Sequence, residues 1–193
     1  MNKDIIDEVF GLYVLHGDED YIGEPVSQLE HMLQAGELAR SEGYDDEVIL
    51  AAFFHDIGHL LSAEGITENM EGYGVVSHES IGADFLRARG FSERLAMLVE
   101  SHVVAKRYLT YRNPDYYNKL SSASKETLGF QGGMMDEKEA LAFEQDPISE
   151  LKIKLRLWDD EAKLTVPTSQ SLDFFRKLAE KHLSQQSHAF TDH

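Results

Sequence analysis

The sequence predicts an all-α protein, a single helical bundle built around a metal site, and three observations carry that prediction. Apolar residues recur at helical spacing, and no stretch alternates with the period of two that a half-buried strand needs. Prolines and glycines fall where helices would start and stop. An apolar run too rich in Ala and Leu for a strand, Val48-Ile49-Leu50-Ala51-Ala52-Phe53-Phe54, leads into His55-Asp56-Ile57-Gly58-His59.

In chain order, a first amphipathic helix is expected over about 3–15, followed by the polar link Gly17-Asp18-Glu19-Asp20. Pro25 suits a first helical position, so a second helix is expected from 25 to about 42, ended by Gly43. Asp45 is a natural N-cap, with Asp46 and Glu47 where the helix dipole favours negative charge, and the third helix should run from about 46 to about 61. Residues 62–74 read as a glycine-punctuated loop. Helices are expected at about 76–89, stopped by Gly90, and at about 92–109, capped by Ser92. Residues 111–135 are the least regular, with Asn113-Pro114 and Gln131-Gly132-Gly133 as breakers. Pro147 can open a helix to about 162 and Pro167 another to about 184. One domain over 1–185 and a polar, frayed tail over 186–193 complete the expectation, without repeats or linkers.

Composition narrows the function. A chain of 193 residues suits one domain with one substantial core. The absence of cysteine excludes disulfides, thiolate zinc sites and cysteine nucleophiles. Asp4, Asp7 and Glu8 interrupt the N-terminal segment before a signal-peptide core could form, and no apolar run is long enough for a membrane span, so a cytoplasmic protein is expected. With 18 Lys and Arg against 35 Asp and Glu, the formal charge of -17 argues against nucleic acid or an anionic membrane as partner. A small anionic molecule remains open to it, provided that the few cations gather in one pocket.

On a helix, His55 and His59 share a face while Asp56 points about 100° away, and a carboxylate has two oxygens with which to bridge two ions. His31 follows Gln28 by three, His102 precedes Lys106 by four, His78 opens its helix beside Glu79, and Arg156 and Asp159 are three apart. A structural histidine needs one hydrogen-bond partner; a helix face carrying both a ligand and a cation looks like the wall of a pocket for a metal and an anion. The candidates are His31, His55, Asp56, His78, His102 and Asp159, with His59 in reserve. Six such groups overfill one tetrahedral site but suit two octahedral ions sharing a carboxylate, with positions open for substrate or oxygen. Nitrogen and oxygen donors point to iron, manganese or another hard to borderline metal. His16, His182, His188 and His193 lie near the ends and receive no role.

The order His, His-Asp, His, His, Asp resembles the HD-domain superfamily, most members of which are metal-dependent phosphohydrolases. A closer likeness covers about residues 20–160: Asp20-Tyr21-Ile22-Gly23-Glu24, Gln28-Leu29-Glu30-His31, HDIGH at 55–59, GYGVVSHE at 72–79, GFSER at 90–94, SHVVAKRYL at 101–109, QGGMMDE at 131–137 and Trp158-Asp159. These segments are similar to those of the mixed-valent di-iron oxygenases that cleave the carbon–phosphorus bond of 1-hydroxy-2-aminoethylphosphonate or its trimethylammonio counterpart, relatives of myo-inositol oxygenase.

That resemblance implies a Fe(II)/Fe(III) pair and dioxygen as co-substrate. One iron would take His31, His55 and Asp159, the other His78 and His102, with Asp56 bridging. Tyr21 matches a tyrosine that can occupy an open iron position, and Glu24 a carboxylate that meets the substrate's ammonium end. Gln28, His59, Lys106, Ser124 and Arg156 fall where the family contacts substrate. The implied products are phosphate and glycine betaine or glycine. A trimethylammonium head would further call for aromatic faces, for which Tyr21, Tyr73 and Phe130 are candidates. The competing expectation is a two-metal phosphohydrolase acting on a small phosphate ester or nucleotide.

Overall fold

The computed structural model describes residues 2–21, 23–62 and 77–189. Among these the protein is helical without a named strand: α1 (Asn2–His16), α2 (Gln28–Ser41), α3 (Asp46–Phe54), α4 (Ile57–Ser62), α5 (His78–Arg87), α6 (Glu93–Val99), α7 (Ser101–Arg112), α8 (Pro114–Lys119), α9 (Ser122–Phe130), α10 (Glu137–Glu144), α11 (Ser149–Glu161) and α12 (Leu172–Ala189). None is long and apolar enough to cross a membrane.

The centre of the bundle is α3. Every residue from Val48 to Phe54 is buried, as expected of a helix apolar on all sides, and Asp45 caps it by accepting from the Val48 N–H. Helices α2, α6, α11 and α12 pack around it. Phe53 stacks on Tyr13 from α1 at 4.8 Å and on Phe175 from α12 at 4.3 Å, tying both ends of the chain to the middle.

Several expected boundaries move, for local reasons. Pro25 does not open α2; Ser27 does, accepting from Glu30 N, while Tyr21 N donates to Val26 O and Glu24 N to Tyr21 O ahead of it. The helix expected over 46–61 breaks at His55-Asp56, and α4 packs against α5. Gly58 permits that contact: a Cβ there would stand 2.0 Å from the His78 carbonyl oxygen. The helix expected over 92–109 breaks at Glu100 and continues to Arg112. The supposedly irregular stretch 111–135 holds α8, started by Asn113 and Pro114, and α9, capped by Ser121. An Asp136–Glu139 capping box begins α10, for which no expectation was formed. Helices α11 and α12 start after their prolines, at Ser149 and Leu172, and α12 runs on to Ala189, beyond the expected end at about 184. Gly43 and Gly90 do stand at helix ends, with φ of +81° and +83°. The expected 62–74 loop, apart from Ser62 in α4, lies outside the described residues, as do Tyr73 and residues 190–193 of the tail.

Candidate metal centre

Six buried ligand candidates converge from five parts of the chain: His31 from α2, His55 and Asp56 from the α3–α4 turn, His78 from the start of α5, His102 from α7 and Asp159 from α11. They form two groups. In the first, His31 Nε2 and His55 Nε2 are 3.0 Å apart, Asp56 Oδ2 is 3.4 Å from each, and Asp159 Oδ1 is 3.5 Å and 3.8 Å from them. In the second, His78 Nε2 and His102 Nε2 are 2.9 Å apart, with Asp56 Oδ1 at 3.3 Å and 3.4 Å. The two oxygens of Asp56 therefore face different groups. Because the chain turns between His55 and His59, the two histidines do not share a group: His59 stacks on His78 at 4.0 Å, its Nε2 3.9 Å from Asp56 Oδ1.

Three properties fit these groups to cations. Donors bound at about 2.0–2.2 Å to one ion lie roughly 3–3.5 Å from one another, close to the spacing found. Backbone carbonyls of Ala162, Ala52 and Val99 lie 2.7, 2.8 and 2.9 Å from Nδ1 of His31, His55 and His102. A carbonyl only accepts, so each Nδ1 carries a proton and, in the neutral ring, each Nε2 presents a lone pair to the cavity. Finally, Asp56 Oδ2 and Asp159 Oδ1 are buried without a hydrogen-bond partner, a costly state for an anion. Facing lone pairs and orphaned carboxylate oxygens call for positive charge. A proton on His31 answers part of that demand: burial opposes it, but Asp159 and Asp56 lift the His31 pKa to about 9. A metal held by all four side chains would answer the whole of it.

Burial works against ionised carboxylates, yet His55 and His31 hold Asp56, and Arg156 and His31 hold Asp159, well below the usual range. Burial likewise drives His102 and His59 down to about 3, leaving both neutral. The groups thus join imidazole nitrogens to ionised carboxylates, a nitrogen-and-oxygen donor set of the kind that holds hard to borderline cations.

Over these groups lies a cavity of about 60 Å³, lined by Tyr21, Glu24, Gln28, His59, Lys106, Ser124 and Arg156 among the expected contacts. The Tyr21 ring stacks on His31 at 4.0 Å, and burial, aided by Asp56, pushes its pKa well up, so it stands there as a neutral phenol. Gln28 Oε1 is buried without a partner. Lys106 is only 2 % exposed, and its Nζ donates to Thr127 Oγ1 at 2.8 Å and Gln131 Oε1 at 2.9 Å. Burial, with the charge of Arg156, brings the Lys106 pKa down to about 7. Arg156 Nη1 donates to Asp159 Oδ2 at 2.7 Å, its Nε to Tyr116 Oη at 2.9 Å, and its Nη2 to Asp160. Its charge is therefore shared between Asp159 and Asp160.

Phe130, expected as an aromatic lining, is 44 % exposed and absent from the cavity wall. Conversely, Thr127, Gln131 and Lys163 line the cavity without having been singled out as contacts. Gln131 had a visible signal in its glycine-rich motif; Lys163 had none, since its partner Glu24 is far away in sequence. His182 also has a use: its Nε2 accepts from Ser92 N at the start of α6.

A helical domain whose central helix ends in a histidine-aspartate turn, with imidazoles from other helices converging on that aspartate, is the architecture of an HD domain. The HD domain family model matches residues 29–162, and the chain belongs to that family. Three relatives cover most of it. An uncharacterised protein of Acanthamoeba polyphaga mimivirus is 41% identical over 182 residues, covering 94% of this chain and 83% of that one. The [1-hydroxy-2-(trimethylamino)ethyl]phosphonate dioxygenase (glycine-betaine-forming) of Leisingera caerulea is 40% identical over 159 residues, 82% of this chain and 80% of that one. The hydroxymethylphosphonate dioxygenase of Gimesia maris is 42% identical over 168 residues, 86% of this chain and 83% of that one.

Proposed function

We propose that this protein is a mixed-valent di-iron oxygenase that uses dioxygen to cleave the carbon–phosphorus bond of a small 1-hydroxyphosphonate. The observation that carries the reading is one cavity holding both a doubly facing carboxylate between imidazole pairs and a buried lysine without a carboxylate among its hydrogen-bond acceptors. The naming of two relatives as phosphonate dioxygenases supports it.

His31, His55 and Asp159 would hold one iron, His78 and His102 the other, with Asp56 between them. When bound, such a pair supplies Lewis acidity and the redox capacity to use dioxygen, which a redox-inert ion lacks. The remaining roles belong to side chains. Lys106 lies where it can donate to a phosphonate oxygen, and anion binding in turn favours its protonated form. Neutral His59 and Ser124 add polar contacts on the cavity wall, and Gln28 Oε1 offers an acceptor for the 1-hydroxyl. Arg156 fixes the orientation of Asp159. Tyr21 covers the His31 group as a neutral phenol, keeping bulk water from it until substrate enters.

The reaction balances without an external reductant. A 1-hydroxyphosphonate plus one dioxygen gives a carboxylic acid and hydrogen phosphate, the carbon being oxidised and both atoms of dioxygen retained in the products. The two relatives named as phosphonate dioxygenases differ in what carbon 1 carries. An ammonium-bearing tail facing Glu24, giving glycine betaine or glycine, is the form that the sequence resemblance favours.

The test is phosphate release by the iron-loaded protein from 1-hydroxyphosphonates under ¹⁸O₂ and under argon. Label in the carboxylate and no turnover under argon are expected. Equal phosphate release under argon would replace this reading with the two-metal phosphohydrolase.

A further inference from the structure

Beside Glu24 the cavity already contains an ammonium group. Lys163 Nζ sits 2.8 Å from Glu24 Oε1, with the two side chains only 16 % and 10 % exposed. Its Nζ is also 6.0 Å from the centre of the Tyr21 ring, the other group to which a cationic tail would turn. The pair lines the same cavity as Asp56, Lys106 and Arg156.

This lysine is placed by the fold. The residue before it is fixed by Ala162 O, which accepts from the His31 ring at 2.7 Å. The residue after it is clamped to α2 twice: Leu164 N donates to Gln34 Oε1 at 3.0 Å, and Leu164 O accepts from Gln34 Nε2 at 2.7 Å. The backbone on both sides of Lys163 is thus tied to the helix that carries a metal-ligand candidate. Its reach to Glu24 is set by the same contacts that orient His31.

Resting on the reading proposed above, we infer that Lys163 is a specificity-determining residue which occupies Glu24 and directs the site to 1-hydroxyphosphonates whose carbon 1 carries no positive charge. A trimethylammonium head has no N–H with which to replace the hydrogen bond between Lys163 and Glu24. It would also have to stand beside a partly buried like charge, which is repulsive. A primary ammonium could replace the bond only by displacing Lys163. A substrate with hydrogen or a small neutral group on carbon 1 disturbs neither residue.

The experiment compares hydroxymethylphosphonate with 1-hydroxy-2-(trimethylammonio)ethylphosphonate on the iron-loaded wild type and on Lys163→Gln and Lys163→Met. It measures oxygen-dependent phosphate release and, by anaerobic titration calorimetry, direct binding. Circular dichroism and iron content establish that each variant is folded and loaded. Wild type should prefer the uncharged substrate in kcat/KM and in affinity, and both variants should shift the ratio towards the cationic substrate by about tenfold or more, the scale of one charge-assisted hydrogen bond. A wild-type preference for the cationic substrate, or a ratio unmoved in both folded variants, overturns the role of Lys163 and leaves the oxygenase reading standing. No oxygen-dependent phosphate release by wild type from either compound overturns that reading and this inference with it.

Discussion

His31, His55 and His102 each tie one ring nitrogen to a backbone carbonyl and aim the other into the cavity, whereas Glu24, Lys106 and Arg156 reach the same cavity at the ends of long side chains held by other polar side chains. The floor is oriented by main chain of α3 and α6 and by the residue that ends α11. The rim is oriented by exchangeable hydrogen bonds: Lys163 for Glu24, Thr127 and Gln131 for Lys106, Tyr116 and Asp160 for Arg156. Floor residues should thus govern whether metal is held at all, and rim residues which anion is held and how tightly.

The sharpest way to break this contrast is Asp56→Ala. It removes the one carboxylate that faces both imidazole pairs, so at least one of two metals and all oxygen-dependent turnover should be lost while circular dichroism stays helical. Two irons per chain retained by inductively coupled plasma analysis would show that Asp56 does not bridge.

Gly58→Ala tests the floor without touching a donor. The added methyl would collide with the His78 carbonyl, so α4 and α5 must separate. Loss of a few kcal/mol in chemical denaturation is expected, on the scale of an overpacked core. Metal in the His78–His102 group should weaken more than in the His31–His55 group, and equal weakening of both would mean that the groups do not respond separately.

On the rim, Lys106→Ala should leave iron in place and raise KM by one to two orders of magnitude, since a charge-assisted hydrogen bond is worth about 1.5–3 kcal/mol. Lys106→Met isolates the cost of burying the charge. Folding lowers the Lys106 pKa from 10.5 to about 7, burial being the main cause. The unfolded chain therefore binds the proton more tightly, and wild-type stability rises with pH across that interval. The Met variant should be more stable than wild type by about 1–3 kcal/mol at pH 7 and below, after allowing for the partners left at Thr127 and Gln131. The gap should close as pH approaches 10.5, and denaturation curves at pH 6, 8 and 10 would reveal a gap that fails to narrow.

The smallest effect belongs to Tyr116→Phe. It removes the hydroxyl that accepts from Arg156 Nε and donates to Asp160 Oδ2, while Arg156 Nε keeps Asp160 as partner at 3.2 Å, so a several-fold fall in turnover with unchanged metal content is expected. Loss of iron in this variant would extend the metal-holding floor outward through Arg156 to Tyr116.

What the sequence determined by itself follows from short-range physics. The helical periodicity, the Asp45 and Ser92 caps and the glycines at positions 43 and 90 act within a turn or two of chain, and all stand in the structure. The burial of His55 and Asp56 was legible too, because a histidine-aspartate pair closing an apolar helix is buried wherever that helix goes. Tertiary structure decided which donor meets which. His55 and His59, four residues apart, part company because α4 turns to dock on α5 at Gly58. Lys163 meets Glu24 across 139 residues, and Lys106 meets neutral acceptors rather than a carboxylate. No local spacing encodes such pairings; they arise when packed helices bring distant side chains into one cavity too small to leave them apart.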